Sequence, residues 1–229
     1  SSQEELDELI EEKREKGIFL TVLGVGEGNL NDAMMEQVAN NGNGTYEYID
    51  NLLQAQKVFI HEYGKFYTVA KDVKVQVEFN PEVVDSYRLI GYENRIMDEE
   101  DFEDDEEDAG EIGSGQTITA LYEIVPGEEA AGSGKTFELK FRYKEPNASA
   151  SEELSLNVTD QGHSFSESSE NMRFAASVTG FSMLLIESEY KGNLDLQNIV
   201  DWAGNARTFD PHNYRNGFIE LLHQYNELK

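Results

Sequence analysis

The chain of 229 residues contains no cysteine, so disulfides, thiolate metal sites and a cysteine nucleophile are all excluded. Prolines number only 4 and there is a single tryptophan. Basic residues are scarce too: 18 Lys and Arg against 46 Asp and Glu, a formal charge of −28. Such a surface repels phosphate backbones, which argues against nucleic-acid partners. Basic proteins or divalent cations fit it better, set against the favoured plain reading that the charge only keeps the protein soluble. No apolar run approaches the roughly 18 residues of a membrane span. No signal-peptide pattern opens the chain, and its immediate start on polar, helix-forming residues suggests a piece of a longer protein. What is abundant is bulky core material, with 12 Phe and 11 Tyr.

Periodicity divides the chain into three styles. From Ser2 to Lys16, Leu6, Leu9 and Ile10 recur at helical spacing behind a serine cap and ahead of Gly17. Ile18 to Val25 is almost continuously apolar, as in a strand covered on both faces. A helix capped by Asn31 or Asp32, a short strand over 45–49 and a helix over 52–63 complete an α/β layer in residues 1–63. In 64–160 the period falls to two. Val73, Val75, Val77 and Phe79 alternate with polar neighbours, as do Phe137, Leu139, Phe141 and Tyr143 and then Leu154, Leu156 and Val158. That pattern predicts a β-sandwich. In 161–229 helices return, opened by a Ser164/Glu167 capping box. Phe174, Val178, Phe181 and Leu185 mark the buried stripe of the first, Leu196, Ile199, Val200 and Ala203 that of the second, and Tyr214, Phe218, Leu221, Leu222 and Tyr225 that of the third. The expected class is α+β.

Two glycine-rich stretches imitate nucleotide-binding loops and fail on detail. After Gly24, Gly26 and Gly28, a dinucleotide fingerprint requires glycine where Asn29 stands. In 128–136 a phosphate loop requires glycine where Glu129 stands, and a strand rather than a helix follows Lys135. Both read as turns. The acidic run of residues 98–108 invites a calcium reading, but an EF-hand begun at Asp101 places Glu106 at the glycine position and Ile112 at the glutamate position. An irregular carboxylate site using Asp98, Asp101, Asp104, Asp105 and Asp108 is the weaker metal candidate, set against a mobile, solvated loop as the favoured reading. His61, His163, His212 and His223 are scattered without ligand spacing, and no catalytic triad or nucleophile elbow can be traced.

The segment GIFLTVLGVGEGNLNDAMMEQVANNGNGTYEYID, residues 17–50, resembles the last third of a von Willebrand factor type A domain. RLIGYENR, DFEDDEEDAGEIGSGQTITALYEIVP, RFAASVTGFSMLLIESEYKGN and YRNGFIELL resemble the C-terminal region of a bacterial family of such proteins. The resemblance implies a doubly wound α/β end piece in residues 1–63, with Gly24, Gly26 and Gly28 shaping a turn at the edge of its sheet. It further implies a non-catalytic protein that binds other proteins or serves adhesion outside the cytoplasm, periplasmic or at the cell surface, with a lipid anchor in some family members. Type A domains hold calcium or magnesium through an Asp-x-Ser-x-Ser motif. Residues 1–229 contain no such motif, so no cofactor is expected in this stretch. The alternatives are a cation-responsive module built on the acidic run and a cryptic hydrolase. The strand over 18–25 expects a neighbour on each edge, to be supplied by upstream chain or by a second copy, with the C-terminal helices folding over its exposed face as the less favoured alternative.

Overall fold

The computed structural model describes residues 3–26, 28, 30–92, 96–128 and 134–228. It is an α+β protein that divides into two units, each assembled from non-consecutive stretches. One comprises Ser1–Glu78, Met97–Ile118 and Glu138–Leu156, the other Phe79–Ile96, Thr119–Phe137 and Asn157–Lys229. The three consecutive segments drawn from periodicity, 1–63, 64–160 and 161–229, therefore do not coincide with them.

The first unit starts with helix α1 (Gln3–Glu15), strand β1 (Val22–Val25), helix α2 (Asp32–Asn41), strand β2 (Tyr46–Ile49) and helix α3 (Leu52–Gln56). On α1 only Ile10 of the three expected core residues is buried, while Leu6 and Leu9 are exposed. β1 and β2 pair in parallel, Val22 opposite Tyr46 through Val25 opposite Ile49, with α2 as the crossover. The turn after β1 is closed by β2: Gly26 N donates to Ile49 O at 3.2 Å, and Tyr48 Oη donates to Gly26 O at 2.8 Å. Gly26 and Gly28 adopt φ of 112° and 130°, which only glycine reaches cheaply, so the glycines serve the turn. Asn29 and Glu129, the residues that break the two nucleotide fingerprints, lie outside the described residues. Asn31 caps α2 by accepting from Met34 N at 3.2 Å. The apolar run 18–25 yields only four strand residues, and Ile18 and Val25 are exposed. Helix α3 is likewise short and passes into a π turn at Lys57–His61.

Four strands form one sheet in the order β5–β3–β7–β8: β5 (Gly110–Gly113), β3 (Thr68–Phe79), β7 (Phe137–Lys144) and β8 (Glu152–Val158). β3 and β5 run antiparallel with irregularities on either side of Ala70. Within this second irregularity Asp72 takes φ of 50°, an uncommon conformation for a residue other than glycine. Beyond it the pleat separates two chemistries. Glu78 pairs with Lys140 (3.5 Å), and Arg142 lies 3.9 Å from Glu153, so these charged residues share one face. Phe79 meets Phe137 (centroids 5.7 Å apart) and Tyr143 Oη donates to Glu152 at 3.1 Å, which places the apolar alternation on the other.

The second unit contains an antiparallel ribbon, β4 (Val84–Ile90) with β6 (Leu121–Pro126), and helices α4 (Glu170–Leu185), α5 (Leu196–Gly204) and α6 (Tyr214–Glu227). The ribbon packs aromatic rings on Phe79, with Tyr87 stacked at 4.1 Å and Tyr122 edge-on at 5.5 Å. The capping box of Ser164 and Glu167 is present, but it closes a short 3-10 turn, and Ser169 caps α4 itself. The helical core consists of Phe181, Ile199, Ala203, Ile219 and Leu222, with Phe174, Leu184, Phe218 and Tyr225 against it.

The expected α4 stripe is corrected here: Phe174 and Phe181 belong to the core, whereas Val178 and Leu185 are exposed. The buried stripe runs through Ser177 and Gly180. The Ser177 hydroxyl is satisfied by Phe174 O at 2.6 Å, and a Cβ on Gly180 would lie 3.0 Å from Leu194 and 3.3 Å from Ile199. Small residues at that seam let α5 approach closely, and a search for large apolar residues passes over them.

Candidate functional site

The acidic run is the segment most altered by seeing it folded. Residues Glu99–Phe102 form a 3-10 turn, and Phe102 is buried. Beneath the run lie two lysines of the sheet, Lys74 on β3 and Lys144 on β7, only 3% and 7% exposed. A buried ammonium group needs several oxygen partners. Lys74 Nζ donates to the backbone carbonyls of Asp101 (2.8 Å) and Asp104 (2.5 Å). Lys144 Nζ donates to the carbonyl of Asp105 (2.6 Å) and to the Asp72 carboxylate (2.7 Å). The loop is solvated at most of its side chains, as expected, but the freely mobile loop expected from like-charge repulsion is corrected to an anchored strap. Its backbone oxygens turn down onto two buried cations, and many of its carboxylates turn out to water.

The five metal candidates are not brought together. Asp98 precedes the 3-10 turn and is exposed, and Asp101 and Asp104 engage Lys74 through main-chain oxygens. Asp105 accepts from Ser151 Oγ and from Arg142 at 2.9 Å, and these bonds, the serine's first, hold its carboxyl down to about 2. Asp108 alone joins a carboxylate group, and its companions come from outside the run: Asp72, Asp108 and Glu111 offer oxygens within 4.8 Å of one another. Asp108 also accepts from Asn43 Nδ2 (2.9 Å) and pairs with Arg14 (3.3 Å), and Lys144 covers Asp72. Burial, then the charges of Asp108 and Asp72, push the Glu111 carboxyl up to about 8. Its Oε1 is buried without a hydrogen-bond partner. Glu111 is thus biased toward its protonated form, which relieves repulsion among three crowded carboxyls. The unusual φ of Asp72 and the distance in sequence of Asn43 and Arg14 kept this group invisible to pattern reading.

The opposite face of the sheet is built in reverse. Val75, next to buried Lys74, is 52% exposed, and Leu154 and Leu156 on β8 are 58% and 59% exposed. Val73, Val77, Leu139, Phe141 and Tyr143 are partly covered. A contiguous apolar patch left open on a sheet face is a candidate interaction surface.

With this architecture in view, comparison with known proteins identifies the family. The family model described as "Uncharacterized protein YfbK, C-terminal" matches residues 64–228. The chain belongs to that family. It is 41% identical over 235 aligned residues to "Uncharacterized protein YfbK" of Escherichia coli (strain K12), an alignment covering 95% of this chain and 40% of that protein. The chain thus spans about 40% of the length of this relative. Among solved structures, the von Willebrand factor type A protein from Catenulispora acidiphila aligns with 90% of this chain and 52% of its own at a TM-score of 0.35 and 12% identity. No helix among the described residues is long and apolar enough to cross a membrane.

Proposed function

We propose that this YfbK-family chain is a non-catalytic protein-binding scaffold of the von Willebrand factor A type, acting in adhesion or assembly outside the cytoplasm. The observation that carries this reading is the state of β1. Among the described residues its one strand partner is β2, and Ile18, Leu23 and Val25 remain exposed. In the same 1–78 stretch Leu52, Leu53, Phe59 and Ile60 are exposed as well. A strand edge with free N–H and C=O groups beside apolar side chains is a template for another polypeptide. The occupants that fit are the rest of the full-length protein, a second copy of the chain, or a separate protein. Light scattering over a concentration series, combined with hydrogen exchange, tests the reading. Expected are association and slow exchange at Val22–Val25 only in the associated form. A concentration-independent monomer with the same amides strongly protected would overturn it.

A second reading, a divalent-cation-responsive module, is favoured by the convergence of Asp72, Asp108 and Glu111. Calorimetry with calcium and with magnesium decides it. Binding that disappears in Asp108→Asn supports it, and absence of heat with either ion rejects it.

A further inference from the structure

We propose that the apolar face of the four-stranded sheet is the seat of an amphipathic α-helix whose apolar stripe is flanked by Lys or Arg. The inference rests on the protein-binding reading but concerns a different surface from the β1 edge.

The two faces of the sheet are covered unequally, and on the apolar face Tyr87 and Tyr122 of the ribbon pack only at the Phe79 end. On its charged face the acidic strap lies over Lys74 and Lys144, which are buried beneath it. Its other face presents Val75, Leu154 and Leu156, each more than half exposed, around partly covered Val77, Leu139 and Phe141. The residues come from β3, β7 and β8, three adjacent strands. At about 4.8 Å per strand they form a strip roughly 10–15 Å wide, which matches the 10–12 Å diameter of one helix. A helix on a sheet face is a standard way to close such a layer.

Charge selects among occupants. Tyr143 lies on this face, hydrogen-bonded to Glu152. Glu152 above all, and Glu145 more weakly, raise the Tyr143 hydroxyl above its usual range, so the rim here is acidic. A second copy would bring the same rim and another −28 to the contact, and like charges oppose that approach. A helix with basic flanks meets the acidic rim and buries the apolar strip in one step. Anionic membranes are disfavoured by the same charge.

The test uses the full chain and three synthetic peptides of about 14 residues, roughly 21 Å as a helix. One is a Leu/Lys peptide with leucines at helical period, one has the same composition scrambled, and one is the Leu/Glu counterpart. Calorimetry should show the periodic Leu/Lys peptide binding at least about tenfold tighter than the other two. Hydrogen exchange in the complex should show new protection at 73–77, 139–143 and 154–156. Leu156→Ser and Leu154→Ser, both at exposed positions, should each weaken that peptide about tenfold without moving the melting temperature. Equal binding of the scrambled peptide, protection elsewhere, or indifference to both substitutions would overturn the proposal. A homodimer dissociated by Leu156→Ser would overturn it in favour of a second copy. Because the peptides address the sheet and light scattering addresses β1, one reading can fail while the other stands.

Discussion

Lys74 and Val75 are neighbours on β3, and their fates are the reverse of what hydropathy alone suggests: the lysine is buried and the valine is half in water. The same inversion holds across the sheet, with Lys144 buried on one face and Leu154 and Leu156 exposed on the other. The difference teaches that cover, not side-chain type, decides burial. The acidic strap supplies carbonyl oxygens where lysines need them, so charge can be buried at tolerable cost. Over Val75, Leu154 and Leu156 no comparable cover lies among the described residues, and there the hydrophobic gain is not collected.

The largest expected effect breaks the buried side of this comparison. Lys144→Ala leaves the Asp72 carboxylate and the Asp105 carbonyl without their donor, and removal of one member of a buried pair costs about 3–5 kcal/mol. Thermal unfolding should show a melting temperature lower by roughly 2–4 °C for each kcal/mol lost. An unshifted transition would mean that the strap is not anchored as described. Of similar size is the loss in the helical unit: Phe181→Ala is expected to cost about 3–5 kcal/mol, while Val178→Ala, one turn away on the exposed side, stays within about 0.5 kcal/mol. Equal losses in the two variants would restore the stripe read from spacing.

A smaller effect sharpens the charged side by pH. Glu111 has a folded-state pKa of about 8, raised from 4.5, so folding takes up a proton between those values. Its contribution is fully present below the unfolded pKa and is lost as pH rises through about 8. Glu111→Gln should therefore flatten the fall in melting temperature over that range and make the variant the more stable protein above it. Parallel curves for the two proteins would show that Glu111 does not hold the proton. The smallest effect belongs to the open face: Val75→Thr should change stability by no more than about 0.5 kcal/mol, measured by denaturant unfolding. A loss of several kcal/mol would show that this face is covered after all.

Much of the scaffold was legible in the residues. The glycine turn after β1, the Asn31 cap, the alternation of β3 and β7 and the three C-terminal helices follow from local rules that act over a few residues. The candidate site was legible only in part. Of the five aspartates named in the run, Asp108 is the one that joins a carboxylate group, because Asp72 and Glu111 reach it through the irregular pairing of β3 with β5. Ser177 and Gly180 at the α4 seam were missed because they are small, and their value lies in the distance they allow rather than in apolar area.

By itself, the sequence determined that the sheet would have one apolar and one charged face, since side chains alternate along an extended chain whatever surrounds it. Likewise it determined a −28 surface and the order of α/β, β and helical segments. Only the tertiary structure decided which face is covered. Burial is set by contacts between segments far apart in the chain: the carbonyls of Asp101, Asp104 and Asp105 reach lysines 27 to 39 positions away, and no local pattern encodes that meeting.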